Sequence, residues 1–218
     1  MDEHDERCCF GEWATADARR GLSGQRVRRV SRDLVEALER LGLRNRTVLD
    51  LGCGAGGVAI EAVVRGASRA TGIDLSDVAI EQARALSVHA GTADRTSFRV
   101  GDGSTAPLEP HDVVVLNRVF CCYPRVDALL ENSLQATGWA YAYTVPPSSG
   151  WRGILARLLV GIENATYAAR RSRFRAFVHD LRRIDSAVRS AGFREAVSRT
   201  SLLWDLRVYV REPGIAAT

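Results

Sequence analysis

The densest chemistry in this 218-residue sequence lies in one short run, Val48-Leu49-Asp50-Leu51-Gly52-Cys53-Gly54-Ala55-Gly56-Gly57. Its glycines let a backbone approach a ligand with no Cβ in the way, and the helix that follows offers free N–H groups. Gly52, Gly54 and Gly57 also satisfy the G-x-G-x-x-G spacing of dinucleotide sites. Three acids narrow the choice of ligand. Asp50, just ahead of the glycines, would repel a pyrophosphate and suits an ammonium or a sulfonium. Asp74 can accept from both hydroxyls of a ribose, and Asp102 from an adenine amino group. Each acid alone reads equally as a cap or turn carboxylate. Together they require three successive strands to end at one crevice, where ligands of open α/β sheets bind.

The elements that must place these residues follow two periods. Val27, Val30, Leu34, Leu38 and Leu41 recur at helical spacing, which predicts an amphipathic helix over 25–41 with Gly42 as its stop. Strands are expected at 47–51, 69–73, 96–100, 112–116 and 139–145. Helices are expected at 58–65, from Ser76 as N-cap through Ile80, Ala83 and Leu86, and at 126–135. Such β-α-β alternation implies a parallel sheet with helices on both faces. Pro146-Pro147-Ser148-Ser149-Gly150 breaks the rhythm. The segment 151–177 then reads as a helical lid, apolar first and Arg-rich later, and 180–191 as a further helix. Alternation in 193–210 predicts two antiparallel strands. The expected division is an N-terminal helical cap (1–45), an α/β core (46–145), a helical lid or substrate insertion (146–178), and a last helix with the final two core strands (179–218).

With these residues in view, the sequence resembles the class I S-adenosylmethionine-dependent methyltransferases. VLDLGCGAGG looks like their first motif, Gly72-Ile73-Asp74-Leu75-Ser76 like their ribose-binding acidic motif, and Phe98 to Gly103 like their adenine-binding motif. His111 to Val119 looks like the fourth. The resemblance covers 46–145 in order and spacing. It implies an α/β fold with a Rossmann-like seven-stranded, mostly parallel sheet, helices on both faces, one antiparallel edge strand and a helical lid insertion. It also implies S-adenosylmethionine as cofactor. On that reading Gly52 and Gly54 line its methionine part, Asp50 sits near its amino group, Asp74 at the ribose and Asp102 at the adenine, with Cys53, Leu75 and Gly103 completing the cradle. Asn117 and Arg118 face the reaction centre; Asn117 either bonds the methionyl amine or is a plain turn residue.

Methyl transfer from a sulfonium is an in-line displacement, so the protein mainly holds the reacting atoms collinear and removes a proton. His179 and Tyr123 are the candidate catalytic groups, histidine because its pKa suits a base near neutrality. The bland alternatives are a His179 bonded to Asp180 and a Tyr123 packed against the lid. Trp13, Arg20, Tyr123, Trp151 and His179 are the candidate substrate contacts. Asn117-Arg118-Val119-Phe120 lacks the Asn-Pro-Pro-aromatic signature of nucleic-acid amino methyltransferases. The Tyr123-Pro124 region and the Arg-rich lid look more like the branch that includes magnesium-protoporphyrin O-methyltransferase. That family's His before Tyr-Pro is here Cys122. The expected acceptor is therefore a small molecule, methylated at oxygen or else nitrogen, as in natural-product or small-metabolite biosynthesis. The alternatives are an NAD(P)-dependent oxidoreductase and a non-catalytic RNA-binding protein that keeps the fold.

Composition excludes other classes. All 30 basic side chains are Arg and none is Lys, so Schiff-base enzymes and ordinary P-loop NTPases are poor readings. The net charge is a mild +4, and the Arg clusters at 19–32 and 170–183 are either solvated faces or a site for an anionic substrate. No aromatic residues interleave with the first cluster, so nucleic acid is not expected. Five cysteines, two of the sets adjacent (Cys8-Cys9 and Cys121-Cys122), give neither a disulfide framework nor CxxC zinc spacing. The pairs admit a soft-metal or arsenic reading or are buried small residues. With no signal-like start and no long apolar run, a cytoplasmic protein without a resident metal is expected.

Overall fold

The structure, a computed structural model, describes residues 29–124 and 126–211. A helix, α1 (Arg29–Leu41), precedes the core; the part of its expected span before Arg29 lies outside the described residues. Then follow β1 (Thr47–Leu51), α2 (Gly57–Val64), β2 (Arg69–Asp74), α3 (Asp77–His89), β3 (Thr96–Val100) and β4 (His111–Asn117). A 3₁₀ turn (Phe120–Cys122) leads into α4 (Val126–Gln135) and β5 (Thr137–Val145). The chain closes with α5 (Gly150–Ala169), α6 (Leu181–Ser190), β6 (Phe193–Thr200) and β7 (Asp205–Arg211).

One seven-stranded sheet has the order β3-β2-β1-β4-β5-β7-β6. The strands from β3 to β5 are parallel, and β7 runs against both β5 and β6. The reversed strand thus stands one place in from the rim, which β6 forms. It is long enough to pair on both sides, Val208 meeting Ala142 and Val197. The strand order reverses between β1 and β4, so their carboxyl ends splay a crevice open, the binding place of doubly wound sheets.

The central strands of the sheet are buried on both faces, which is why β1, β4 and β5 read as largely apolar runs. Val113 and Val115 of β4 join the core beneath α1, α2 and α3, while Val114 and Leu116 join the other. Strand β5 splits by size. Ala140 and Ala142 let α1 lie close, and Tyr141 and Tyr143 fill the opposite face with Phe120 and Tyr209. Burying a large apolar side chain contributes about 1.5–3 kcal/mol, so each face has ample means to hold the strand ends in place. Ser76 caps α3 as expected, its Oγ accepting from the Ala79 N–H at 3.1 Å.

The lid departs from its expected form. Only 150–169 is helical. Arg171 turns left-handed (φ 59°), and the chain runs back along α5 as irregular backbone. Tyr167 and Phe174 lock this return edge to face at 5.1 Å, and Asn164 holds Ala176 by both its N–H and its carbonyl. The Arg-rich half of the insertion is thus a tethered strap, with Arg170, Arg171 and Arg173 exposed in it. Among the described residues no helix is long and apolar enough to cross a membrane.

Candidate active site

The carboxyl ends of β1, β2 and β4, the 3₁₀ turn, α5, the strap and the β6–β7 turn surround a cavity of about 460 Å³. That size suits a small ligand site. The glycine loop forms one half. Gly52 has φ +66° and Gly54 +53°, conformations that cost a side chain free energy. A Cβ on Gly52 would also sit 2.5 Å from Val119 Cγ2, so the loop packs directly on the segment after β4. Ile73 C=O accepts from the N–H groups of Gly52 and Cys53 at 2.8 and 3.1 Å, stitching the loop to β2.

Asp50 and Asp74 lie at the floor of this half. Asp74 Oδ2 accepts from Gly54 N–H (2.8 Å) and Oδ1 from Ser76 N–H (2.9 Å). Asp50 Oδ2 accepts from Ala59 N–H at 3.2 Å. Burial pushes the Asp50 carboxyl up to about 8, against the Ala59 hydrogen bond and helped by the Asp74 charge. Burial also raises Asp74, despite the backbone N–H groups that favour its charge. The Cys53 thiol between them is raised by burial and by both carboxylates. Two buried acids whose charged forms are costly, in one pocket with no basic side chain on this side, suit a cationic ligand that lets them ionise. An ammonium–sulfonium nucleoside meets that demand and a pyrophosphate does not, so the residues present fit the expected cofactor and disfavour a dinucleotide.

The other half belongs to the lid. Arg118 is the basic residue among the described lining and Glu163 of α5 its carboxylate; Leu159, Val160, Leu203 and Trp204 supply apolar wall. Arg118 takes a left-handed φ of 63°, its N–H bonded to Thr144 Oγ1 at 2.9 Å, and its guanidinium lies 5.1 Å from the Trp204 ring centre. Such strained backbone often marks functional positions. Cys121 and Cys122 line the same half.

The expected site residues separate into groups. Asp50, Gly52, Cys53, Gly54, Asp74, Leu75, Gly103, Asn117, Arg118 and Tyr123 all line the cavity. Asn117 ends β4 and also has two partners within the protein. Its Oδ1 accepts from Thr144 Oγ1 and its Nδ2 donates to Ser31 Oγ at 2.8 Å, so it pins α1 over the crevice. Asp102 stands between the lining residues Gly101 and Gly103, its Oδ1 accepting from Ser104 N–H and Oγ at 2.8 Å and from the Tyr123 hydroxyl. The Tyr123 hydroxyl is thus turned toward Asp102 and Ser104. His179 does not line the cavity: its Nε2–H donates to the Tyr123 carbonyl at 2.9 Å and its ring stacks on Phe177. Nor does it bond Asp180, which caps α6 through Arg182 N–H. Trp151 is 67% exposed in the first turn of α5 and is not among the residues that line the cavity. Trp13 and Arg20 lie outside the described residues.

Ser31, Glu163 and Trp204 are among the lining residues that the sequence reading did not single out. Ser31 breaks the apolar stripe of α1 yet is buried, a signal that was available. Glu163 and Trp204 carried none, because their neighbourhood is made by the lid and the β6–β7 turn.

Residues 43–142 match a family model described as a methyltransferase domain. Over 128 residues the chain is 34% identical to the ribosomal protein L11 methyltransferase of Yersinia pseudotuberculosis, covering 59% of this chain. The chain spans about two fifths of the length of that curated relative (40%). In fold it is similar to the magnesium protoporphyrin IX methyltransferase of Synechocystis solved with S-adenosylhomocysteine, with a TM-score of 0.72 and 17% identity over 97% of this chain and 100% of that one. An O-methyltransferase family protein from Burkholderia thailandensis gives a TM-score of 0.67 and 20% identity, over 86% of this chain and 57% of that one. At such identities the structural likeness is one of fold.

Proposed function

We propose that this chain is a class I S-adenosylmethionine-dependent methyltransferase and that it methylates a small acceptor bearing an anionic group, at oxygen foremost and at nitrogen second. The observation that carries this is the build of the cavity. A lid half whose charged groups are Arg118 and Glu163 and whose wall is largely apolar adjoins the acidic glycine-loop half. Asp50 would face the ammonium of the methyl donor, Asp74 its ribose, and the 101–103 turn with Asp102 its adenine. The donor supplies an activated methyl carbon. The protein's own work is then to exclude water, to aim the acceptor and to accept its proton.

Arg118 is the group suited to hold an acceptor's carboxylate or similar anion, since a guanidinium binds such groups in bidentate fashion. Glu163 is the carboxylate positioned to take the proton. A positioned base contributes about 10²–10⁴-fold to a rate.

The test has two parts. Calorimetry with S-adenosylhomocysteine checks the donor site; no binding heat at tens of micromolar protein would overturn the reading. Labelled methyl donor is then offered with a panel of small carboxylate-bearing phenols and amines, and separately with ribosomal proteins, the acceptors suggested by the relatives' name. Label in the small molecules, lost in Arg118→Gln and in Glu163→Gln while donor affinity stays within about twofold, supports the proposal. Label confined to protein overturns it.

A further inference from the structure

The pair Cys121-Cys122 has no part in the reading above. Both residues close the 3₁₀ turn after β4, and both line the lid half of the cavity. Their Sγ atoms lie 3.6 Å apart, and both face the Arg118 carbonyl, at 3.3 and 3.7 Å. The two sulfurs therefore present to one side. A disulfide would bring them to ~2.0 Å, so this is a dithiol whose spacing leaves room for one bridging atom larger than carbon.

The electrostatics favour sulfur ligation. The hydrogen bond from Cys122 and the Arg118 charge draw the Cys121 thiol down, while that same hydrogen bond, burial and the Cys121 charge push Cys122 up. One sulfur is thus readied as nucleophile and the other keeps its proton. Thiolates select soft centres. The number of ligands narrows the class further. Among the described residues there is no cluster of three or more His, Cys, Asp or Glu that could hold a metal ion. Zinc, which takes four protein ligands in a structural site and three in a catalytic one, is poorly served. A trivalent arsenic that already carries one carbon substituent needs only two sulfurs to complete three-coordination. Leu159, Val160 and Trp204 line the same cavity and offer apolar wall for that organic substituent.

We propose that Cys121 and Cys122 form a two-thiol site in the lid half that chelates a monosubstituted trivalent arsenical. For an arsenical oxide the step balances without an oxidant. Two S–H bonds and the As–O link break, two As–S bonds form, and the oxide oxygen leaves with both protons as one water. Arsenic stays trivalent throughout. The site goes beyond the methyl-transfer reading and does not depend on it.

The probe is phenylarsine oxide, added to reduced full-length Cys8→Ser/Cys9→Ser protein, which removes the other adjacent pair. Intact-mass spectrometry is expected to show one phenylarsenic per chain that survives a large excess of glutathione and is stripped by 2,3-dimercaptopropanol. In the Cys121→Ser and the Cys122→Ser versions of that protein, folded by circular dichroism, the glutathione-resistant adduct should be lost. The unaltered chain gives an independent check. Iodoacetamide applied after loading and excess glutathione, followed by peptide mapping, should spare Cys121 and Cys122 while the same label reaches them in unloaded protein. No resistant adduct, an adduct kept in both serine variants, or equal labelling of Cys121 and Cys122 with and without the probe would overturn the site.

Discussion

The two halves of the cavity are built from different kinds of chain. The glycine-loop half is made of strand ends. Asp50, Asp74 and the loop between them are fixed by the parallel pairing of β1 with β2, and Asp74 is tied to that loop through Gly54 N–H. The lid half is made of a helix, a strap, a 3₁₀ turn and the β6–β7 turn, which meet through side chains such as Asn164 and Arg152. In the first half, backbone geometry does the positioning and the side chains carry charge. In the second, the side chains both position and recognise. A change in the glycine-loop half should therefore strike donor binding, and one in the lid half acceptor use or packing.

The largest effect is expected from Asp74→Ala. It removes the acceptor for two backbone N–H groups as well as the proposed ribose partner. Losing charge-assisted hydrogen bonds of this kind costs about 1.5–3 kcal/mol each, so S-adenosylhomocysteine affinity should fall at least a hundredfold by calorimetry. A loss of less than tenfold would break the claim that strand ends dominate donor binding.

Asp50→Asn sharpens the same contrast, because here function and stability pull apart. The folded carboxyl is pushed up to about 8, whereas an unfolded aspartate ionises at about 3.9. Between those values the folded state keeps a proton that the unfolded chain has released. The native protein therefore loses stability through this group as pH rises across that window, and the loss is complete above the folded value. Asparagine has no such titration. The melting temperature of the variant relative to the parent should climb from pH 4 to pH 8 and then level off. Donor affinity should move the other way, about tenfold weaker at pH 8, for want of a charge opposite the ammonium. In the parent, donor-product binding near pH 7 should also release a proton, seen as a dependence of binding heat on buffer ionisation enthalpy. A relative melting temperature that does not change with pH would count against the buried-acid account.

How much of this was readable in the sequence follows the same divide. The glycine loop, Asp50 and Asp74 were legible because strand, turn and strand-end acid lie in one local pattern whose geometry the parallel sheet dictates. The reversed strand was foreseen, but not that it sits inside β6, since periodicity gives a strand's faces and not its neighbours. The lid's helix was legible and its strap was not. Tyr167 and Phe174 make that return, and nothing in their spacing announces that they meet. His179 and Tyr123 were singled out for their chemistry, yet each is held by a partner distant in sequence, Tyr123 by Asp102 and His179 by the Tyr123 carbonyl. Chemistry-bearing residue types outside a local motif say little about where their hydrogen bonds go.

Tyr123→Phe tests the seam between the halves. It deletes the hydroxyl shared by Asp102 and Ser104 but keeps the ring in the cavity wall. A buried hydrogen bond of this sort contributes about 1 kcal/mol. A melting shift of that scale and a few-fold loss of donor affinity through the loosened 101–104 turn are expected, with the pH dependence of methyl transfer unaltered. A profile that loses a limb would return Tyr123 to the role of base.

The smallest effect should come from His179→Gln. The glutamine amide can still donate to the Tyr123 carbonyl, so the strap stays clamped to the 3₁₀ turn, and what disappears is a titrating ring stacked on Phe177. If His179 only clamps, stability should change by less than ~1 kcal/mol, as for a substitution that keeps its hydrogen bond. Donor affinity should hold, and the pH dependence of methyl transfer should superimpose on that of the parent. A base in the lid half would behave otherwise, since removing it must flatten the acid limb and cut the rate by about a hundredfold or more. That outcome would mean the strap moves enough to bring the imidazole from behind Tyr123 into the cavity, and the lid half would then have to be a mobile structure rather than a packed one.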